Sequence, residues 1–192
     1  MAAGSKGIVL VKGFTVTEGY LNNDVATQAA FTEDGWYFTN DAGYLGQDGH
    51  LYVMGRESDC IMKGSYILYP IWLENDLQSV AEVEEVAVVP VPDPVLHHEI
   101  CACVVVKGIE GVIAGTLHNQ TNDSKVPADG DGLVSLEARL RQHADSLTVL
   151  SRKDLMEMAP KYYVFMGRFP VTNTGKVMRK ELTRLATHSL NL

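Results

Sequence analysis

VAVVPVPDPVLHHEICACVVVK, running from Val86 to Lys107, contains two short apolar runs, Val86–Val91 and Ile100–Lys107, joined through Pro92-Asp93-Pro94. Each run is rich in β-branched residues and too short for a helix, the pattern of a strand buried on both faces. Outward on the N-terminal side, Pro70 stands where a helix can begin, with Leu73, Leu77 and Val80 at helical spacing behind it. On the C-terminal side, Leu133–Leu147 places Leu136, Leu140, Ala144 and Leu147 on one helical face. Tyr162–Phe165 then predicts a strand, and Met178, Leu182 and Leu185 a closing helix. Helix, strand, strand, helix, strand, helix makes a compact α+β unit over residues 58–192.

The first 57 residues have a different rhythm. Ile8-Val9-Leu10-Val11, Trp36-Tyr37-Phe38 and Leu51-Tyr52-Val53-Met54 are short strands separated by Gly19, Gly35 and the Gln47-Asp48-Gly49 turn. This is a set of β hairpins too small to share the core that follows. One stretch interrupts the second unit. Residues 108–132 are rich in Gly, Asn, Asp, Ser and Thr without periodicity, which predicts a long mobile insertion. It carries N-x-[ST] sequons at Asn119 and Asn122, read as coincidence because no secretory signal accompanies them.

Composition narrows the function classes. The 192 residues are 46% apolar and 21% charged, ordinary for a globular protein, with a net charge of −8 and no basic stripe, which argues against a nucleic-acid partner. No apolar run approaches the ~18 residues of a transmembrane segment. The N-terminal MAAGSKGIVLVKG has neither the look of a transit peptide nor a signal-peptide cleavage site. Three cysteines, Cys60, Cys101 and Cys103, make no disulfide framework and favour a reducing compartment.

The chemistry concentrates in two turn regions far apart in the chain. Gly35-Trp36-Tyr37-Phe38-Thr39-Asn40-Asp41 is followed by Gly55-Arg56-Glu57-Ser58-Asp59, and Pro170-Val171-Thr172-Asn173-Thr174-Gly175-Lys176 lies near the C-terminus. An Asp and an Arg on neighbouring turns suit a ribose and a phosphate. A Lys on a glycine turn that opens a helix suits developing negative charge. No GxxxxGK[ST] or comparable phosphate loop is present, so these are parts of a nucleotide site rather than a whole one.

Together these residues resemble the C-terminal end of the adenylate-forming enzymes, the superfamily of acyl-CoA synthetases, peptide-synthetase adenylation domains and luciferases, and within it the mitochondrial medium-chain acyl-CoA synthetases. The family's G-W-x-x-T-G-D is seen in Gly35 to Asp41, with Asn40 at the middle glycine. Its G-R-x-x-D-x-I is seen in Gly55, Arg56, Asp59 and Ile61, and its P-x-T-x-x-G-K-x-x-R in Pro170, Thr172, Gly175, Lys176 and Arg179. The strand Glu99–Cys103 and the final Leu190-Asn191-Leu192 point to the medium-chain subfamily. The resemblance implies a two-step ligase: a fatty acid and ATP, with Mg²⁺, give an acyl-adenylate and pyrophosphate, and coenzyme A then displaces AMP. It implies that residues 1–57 are the last β subdomain of a large AMP-binding domain and residues 58–192 the mobile C-terminal domain. It also implies a mitochondrial location, against a cytoplasmic one otherwise.

By the same resemblance Asp41 holds the ribose hydroxyls and Arg56 braces ribose and phosphate. Lys176 is the catalytic lysine that reaches the acyl carboxylate and α-phosphate. Ser58 is the hinge, where Asp or Lys is usual. Gly64-Ser65 stands for the Gly-Gly pair that lines the pantetheine path of coenzyme A, and Trp72 replaces a glutamate expected two residues after Pro70. Asn is the best non-glycine occupant of a left-handed backbone, so the turn at Asn40 is expected to survive. A metal site on His97, His98, Cys101 and Cys103 fits no common zinc spacing, and no metal is expected. Lacking the phosphate loop and acyl pocket, the chain is expected to be inactive alone. The rival reading is a non-catalytic module that docks on the adenylation domain of a full-length synthetase.

Overall fold

A computed structural model describes residues 4–108, 115–116, 130–151 and 158–192. The chain divides into two compact units, Met1–Cys60 and Ile61–Leu192. The expected boundary, between Glu57 and Ser58, falls slightly earlier, because a single 3₁₀ turn, Glu57–Asp59, closes the first unit.

The first unit is a three-stranded antiparallel sheet in the order β1 (Gly7–Val11), β2 (Tyr37–Leu45), β3 (Leu51–Arg56). The Gln47–Gly49 turn joins β2 to β3, with the Gly46 amide donating to the His50 carbonyl at 2.8 Å. Tyr44 and Tyr52 stack across the strands with ring centroids 5.1 Å apart. A helix interrupts the expected run of hairpins: α1 (Asp24–Ala30) is capped by the Asn23 side chain, which accepts from the Ala26 amide at 3.0 Å. An Asn N-cap with Asp24 in the first turn is a sufficient local signal for a short helix. Phe14, Leu21 and Val25 are strongly exposed here, and Ala42 and Met54 are the buried apolar residues.

In the second unit, the hairpin β4 (Ile61–Lys63) and β5 (Tyr66–Leu68) leads into α2 (Pro70–Leu77), which has proline in its first turn. A four-stranded sheet follows in the order β6 (Val83–Asp93), β7 (His97–Val106), β9 (Tyr162–Met166), β8 (Gly115–Thr116). β7 runs antiparallel to β6 and parallel to β9. α3 (Gly130–Ser151) and α4 (Arg179–Ser189) complete the α+β architecture expected from the sequence. Period-two alternation splits β7 between two cores. Ile100, Ala102 and Val104 pack with Leu73 and Leu77 of α2 and Leu136, Leu140 and Ala144 of α3. Cys101, Cys103 and Val105 pack with Leu182 and Ala186 of α4.

Several expectations need correction. Val80 lies past the end of α2 and packs against the first cluster from a turn. The buried stripe of α4 is Leu182 and Ala186, whereas Met178 is an exposed cap. Most of the insertion expected at 108–132, with both sequons, lies outside the described residues; within it, Gly115–Thr116 pairs with β9 and α3 already begins at Gly130. The side chain of Leu147 is also outside the described set.

β6 is an edge strand, and an open edge is a template for unwanted pairing. Here it is closed by side chains. Glu74 of α2 accepts from the Val88 amide at 2.7 Å, and Arg179 of α4 donates to the Val88 carbonyl at 3.0 Å. The same Arg179 grips Glu74 with both terminal nitrogens, at 2.8 and 2.9 Å. Further along, Gln78 donates to the Glu84 carbonyl at 2.8 Å. Pro90 and Pro92 share the outward alternation of Val88 and present no N–H to the edge.

A second buried pair fastens the β4–β5 hairpin to the sheet. Lys63 lies 2.6 Å from Glu99 of β7, with the two side chains 10% and 4% exposed. Glu99 also accepts from the Ile100 amide, and Lys161 approaches its other oxygen at 3.8 Å. The Gly64 amide donates to the Leu96 carbonyl at 2.9 Å.

Two stability outcomes follow. Glu74→Ala should cost the second unit about 3 kcal/mol in urea unfolding, the low end for breaking a buried pair because Arg179 keeps part of its surface in water. Glu99→Ala should cost about 3–5 kcal/mol by removing the carboxylate 2.6 Å from the buried Lys63 ammonium, while the double replacement Lys63→Met/Glu99→Leu should be clearly less destabilised than Glu99→Ala.

Candidate functional site

Asp41 and Arg56 meet because β2 and β3 are antiparallel and in register at that pair. The Arg56 Nε lies 3.8 Å from Asp41 Oδ1, with both side chains substantially exposed. The approach to Asp41 is set locally. Asn40 takes φ 60°, a left-handed conformation that Asn tolerates best after glycine, as expected from the sequence. The Thr39 hydroxyl donates to the Val9 carbonyl at 2.9 Å and accepts from the Asp41 amide at 3.0 Å, so β1 supports the turn. The hydroxyls of Tyr20 and Tyr37 are 3.3 Å apart, and this contact is the main cause that raises the Tyr37 phenol above its ordinary pKa. A partly exposed carboxylate beside an exposed guanidinium at 3.8 Å binds its partner weakly and is open to exchange for a ligand's hydroxyls and phosphate. Ser58 lies in the 3₁₀ turn that follows, where its hydroxyl donates to Asp59 at 3.1 Å.

Gly64 and Ser65 form the two-residue turn of the β4–β5 hairpin. Gly64 has φ 57° and Ser65 has no positive φ, the pattern of a II′ turn with glycine first. A Cβ on Gly64 would meet Leu96 only at ordinary contact distance, so the backbone conformation rather than space selects glycine. Ser65 is exposed, and Trp72 on α2 is half exposed.

Lys176 does not open a helix, contrary to the sequence reading. It sits on a hairpin whose arms bridge at Val171 and Val177, and α4 begins only at Arg179. The Thr172 amide donates to the Lys176 carbonyl at 2.8 Å, and the Gly175 amide to the Thr172 carbonyl at 2.9 Å. Gly175 takes φ 80°, which excludes a right-handed helix at that point. The Thr172 hydroxyl sits 2.9 Å from that of Thr174 and accepts from the Lys176 amide at 3.2 Å. Lys176 is exposed, and its ammonium makes no hydrogen bond or ion pair among the described residues. The tip is therefore rigidly wound and its cation is held in water.

His97 is exposed with φ 70°, and its ring lies 4.2 Å from that of His98, which approaches the Met62 carbonyl at 3.3 Å. Cys101 and Cys103 point instead into the α4 side of the core. The Cys101 thiol is pushed well up by its hydrogen bond to Cys103 and by burial, the opposite of what a thiolate ligand needs. Among the described residues, no group of three or more His, Cys, Asp or Glu is placed to hold a metal ion.

The sequence reading missed Glu74, Lys63 and Glu99. Glu74 shares the helical face of Leu73 and Leu77, where a carboxylate needs a buried partner. Arg179 supplied the complementary signal: a cation in the first turn of a helix is electrostatically unfavourable without an anion nearby.

Residues 73–176, more than half of the chain, match the family model of the AMP-binding enzyme C-terminal domain. Among curated relatives, the mitochondrial medium-chain acyl-CoA ligase of Homo sapiens is 29% identical over 97% of this chain and 26% of that protein. The 2-succinylbenzoate–CoA ligase of Listeria monocytogenes is 45% identical over 92% of this chain and 31% of its own length. A long-chain-fatty-acid–CoA ligase of Bacillus subtilis is 31% identical over 95% and 27%. The chain thus spans between about a quarter and a third of these relatives. Of solved structures, the o-succinylbenzoate CoA synthetase of Bacillus subtilis in complex with its acyl-adenylate superposes with a TM-score of 0.70 at 25% identity, over 95% of this chain and 31% of that one. An amide bond synthetase from Marinactinospora thermotolerans gives 0.67 at 26% identity, over 96% and 31%. This chain belongs to the AMP-binding enzyme C-terminal domain family.

Proposed function

We propose that this chain carries the C-terminal machinery of an ATP-dependent acid–CoA ligase, with a medium-chain fatty acid as the acid and a mitochondrial location in keeping with the human relative. The observation that carries the reading is the Lys176 hairpin: an exposed ammonium with no partner among the described residues, on a turn whose backbone is internally hydrogen-bonded. In the first half-reaction a carboxylate oxygen attacks the α-phosphorus of ATP, the bond to the β-phosphate bridging oxygen breaks, and pyrophosphate leaves. Lys176 faces the negative charge on the carboxylate and α-phosphate. A charge pair near 4 Å is worth roughly 4 kcal/mol at an effective dielectric of 20, and more of it is realised where charge builds up in the transition state.

In the second half-reaction the sulfur of coenzyme A attacks the acyl carbonyl, the thiol proton is lost, and the bond to AMP breaks. Asp41 and Arg56 hold ribose and phosphate. Ser58 is the hinge between the two states. Gly64 and Ser65 border the pantetheine arm, where the Ser65 side chain narrows the path that a second glycine leaves open. Magnesium would arrive with ATP; the described residues offer it no ligand cluster, and no step is assigned to it.

Residues 1–57 are proposed as the end of a large adenylation domain, and this supports a need for further protein before catalysis. The strongly exposed Phe14, Leu21 and Val25 favour contact with such a domain, whether covalently continuous or bound as a docking partner. Added to a full-length synthetase, a docking module would lower thioester output and leave adenylate formation unchanged.

The 192-residue chain alone should give no acid-dependent exchange of pyrophosphate into ATP. Fused behind the large domain of an acid–CoA ligase it should restore exchange, and Lys176→Ala should cut that exchange by about 10²–10³-fold while sparing thioester formation from preformed acyl-adenylate. Equal loss in both half-reactions would refute the assignment of Lys176.

A further inference from the structure

The hairpin that carries Lys176 is exposed along its whole tip, residues 171–176, so its direction is decided at its base. Before it, Phe169 is buried in the α4 side of the core, and after it Val177 packs partly against the same cluster. Such contacts hold the base down but have no preferred direction. Arg179, three residues beyond Lys176, supplies the directional attachment. Its fork grips both oxygens of Glu74 and also donates to the Val88 carbonyl, while Glu74 accepts from the Val88 amide. One carboxylate thus ties the base of the hairpin to the edge of β6 and to α2.

We propose that Glu74 is a positioning residue for Lys176, acting through Arg179 to fix the direction in which the lysine hairpin projects. The planar guanidinium matters as much as its charge, because two parallel hydrogen bonds set an orientation that one ammonium does not. Arg179→Lys is therefore not conservative here. Glu74→Gln turns an N–H toward the guanidinium donors and opens the fork. That the lysine needs aiming rests on the ligase reading, whereas the mechanical link stands on the geometry alone.

Amide hydrogen exchange on the intact chain, without substrate, tests the link. The Thr172 and Met178 amides close the hairpin, donating to the carbonyls of Lys176 and Pro170, and report its local opening. Arg179→Lys and Glu74→Gln should each speed their exchange by about tenfold or more. Leu140→Ala, a core deletion under α3 that lowers global stability, should leave both amides within about twofold. Unchanged exchange in the two clamp variants would overturn the proposal, as would equal acceleration by Leu140→Ala. An inactive wild-type fusion alongside the expected exchange pattern would instead count against the ligase reading and leave the mechanical link standing.

Discussion

One carboxylate with three hydrogen bonds organises the second unit. Glu74 receives two from Arg179 and one from the Val88 amide, and Arg179 adds a fourth bond to the Val88 carbonyl. The elements so joined lie on opposite faces of the sheet, α2 in one core and α4 in the other. Apolar packing holds each helix to its own face without relating it to the other. The clamp passes round the edge of β6 and relates them, and in doing so occupies backbone groups that an open edge would expose. Proline at 90 and 92 and the Gln78 side chain treat the rest of that edge by the same logic.

Burial sorts the charges of this protein by task. Lys63 with Glu99 and Glu74 with Arg179 are close and largely shielded, so separating either pair costs more than separating an exposed one. Arg56 and Lys176 are exposed and Asp41 half-buried; Asp41 and Arg56 touch at only 3.8 Å and Lys176 has no partner among the described residues. An exposed pair is worth about 0–1 kcal/mol and costs little to exchange. Arg56 and Lys176 are thus the loosely held cations, whereas Arg179 is tied at the base of the Lys176 hairpin and Lys63 ties the β4–β5 hairpin to the sheet.

The sequence revealed the architecture wherever one period dominated. Val86–Val91 lies in the edge strand β6 and Ile100–Val106 in the central strand β7, and their apolar runs declared strands covered on both faces. Leu136, Leu140 and Ala144 are buried as their spacing requires. Reading failed where a single residue overrode its surroundings. Asn23 nucleates a helix among hairpins, and Gly175 in a left-handed conformation shapes a hairpin tip where the glycine turn was read as opening a helix. The motif residues of the site were legible because their types and order match a family. The polar residues behind them were not, because Glu74 and Lys63 gain meaning only from partners far away in sequence, Arg179 and Glu99.

The measurement that bears most directly on the central claim, that Lys176 meets the activated acyl group, is a map of lysine acylation. The fusion to a large adenylation domain, given acid and ATP without coenzyme A, should accumulate acyl-adenylate, whose mixed anhydride acylates amines beside it. Mass spectrometry should find Lys176 modified well ahead of other exposed lysines such as Lys107 and Lys180. Acylation spread evenly over the surface, with Lys176 no faster than the rest, would contradict the account.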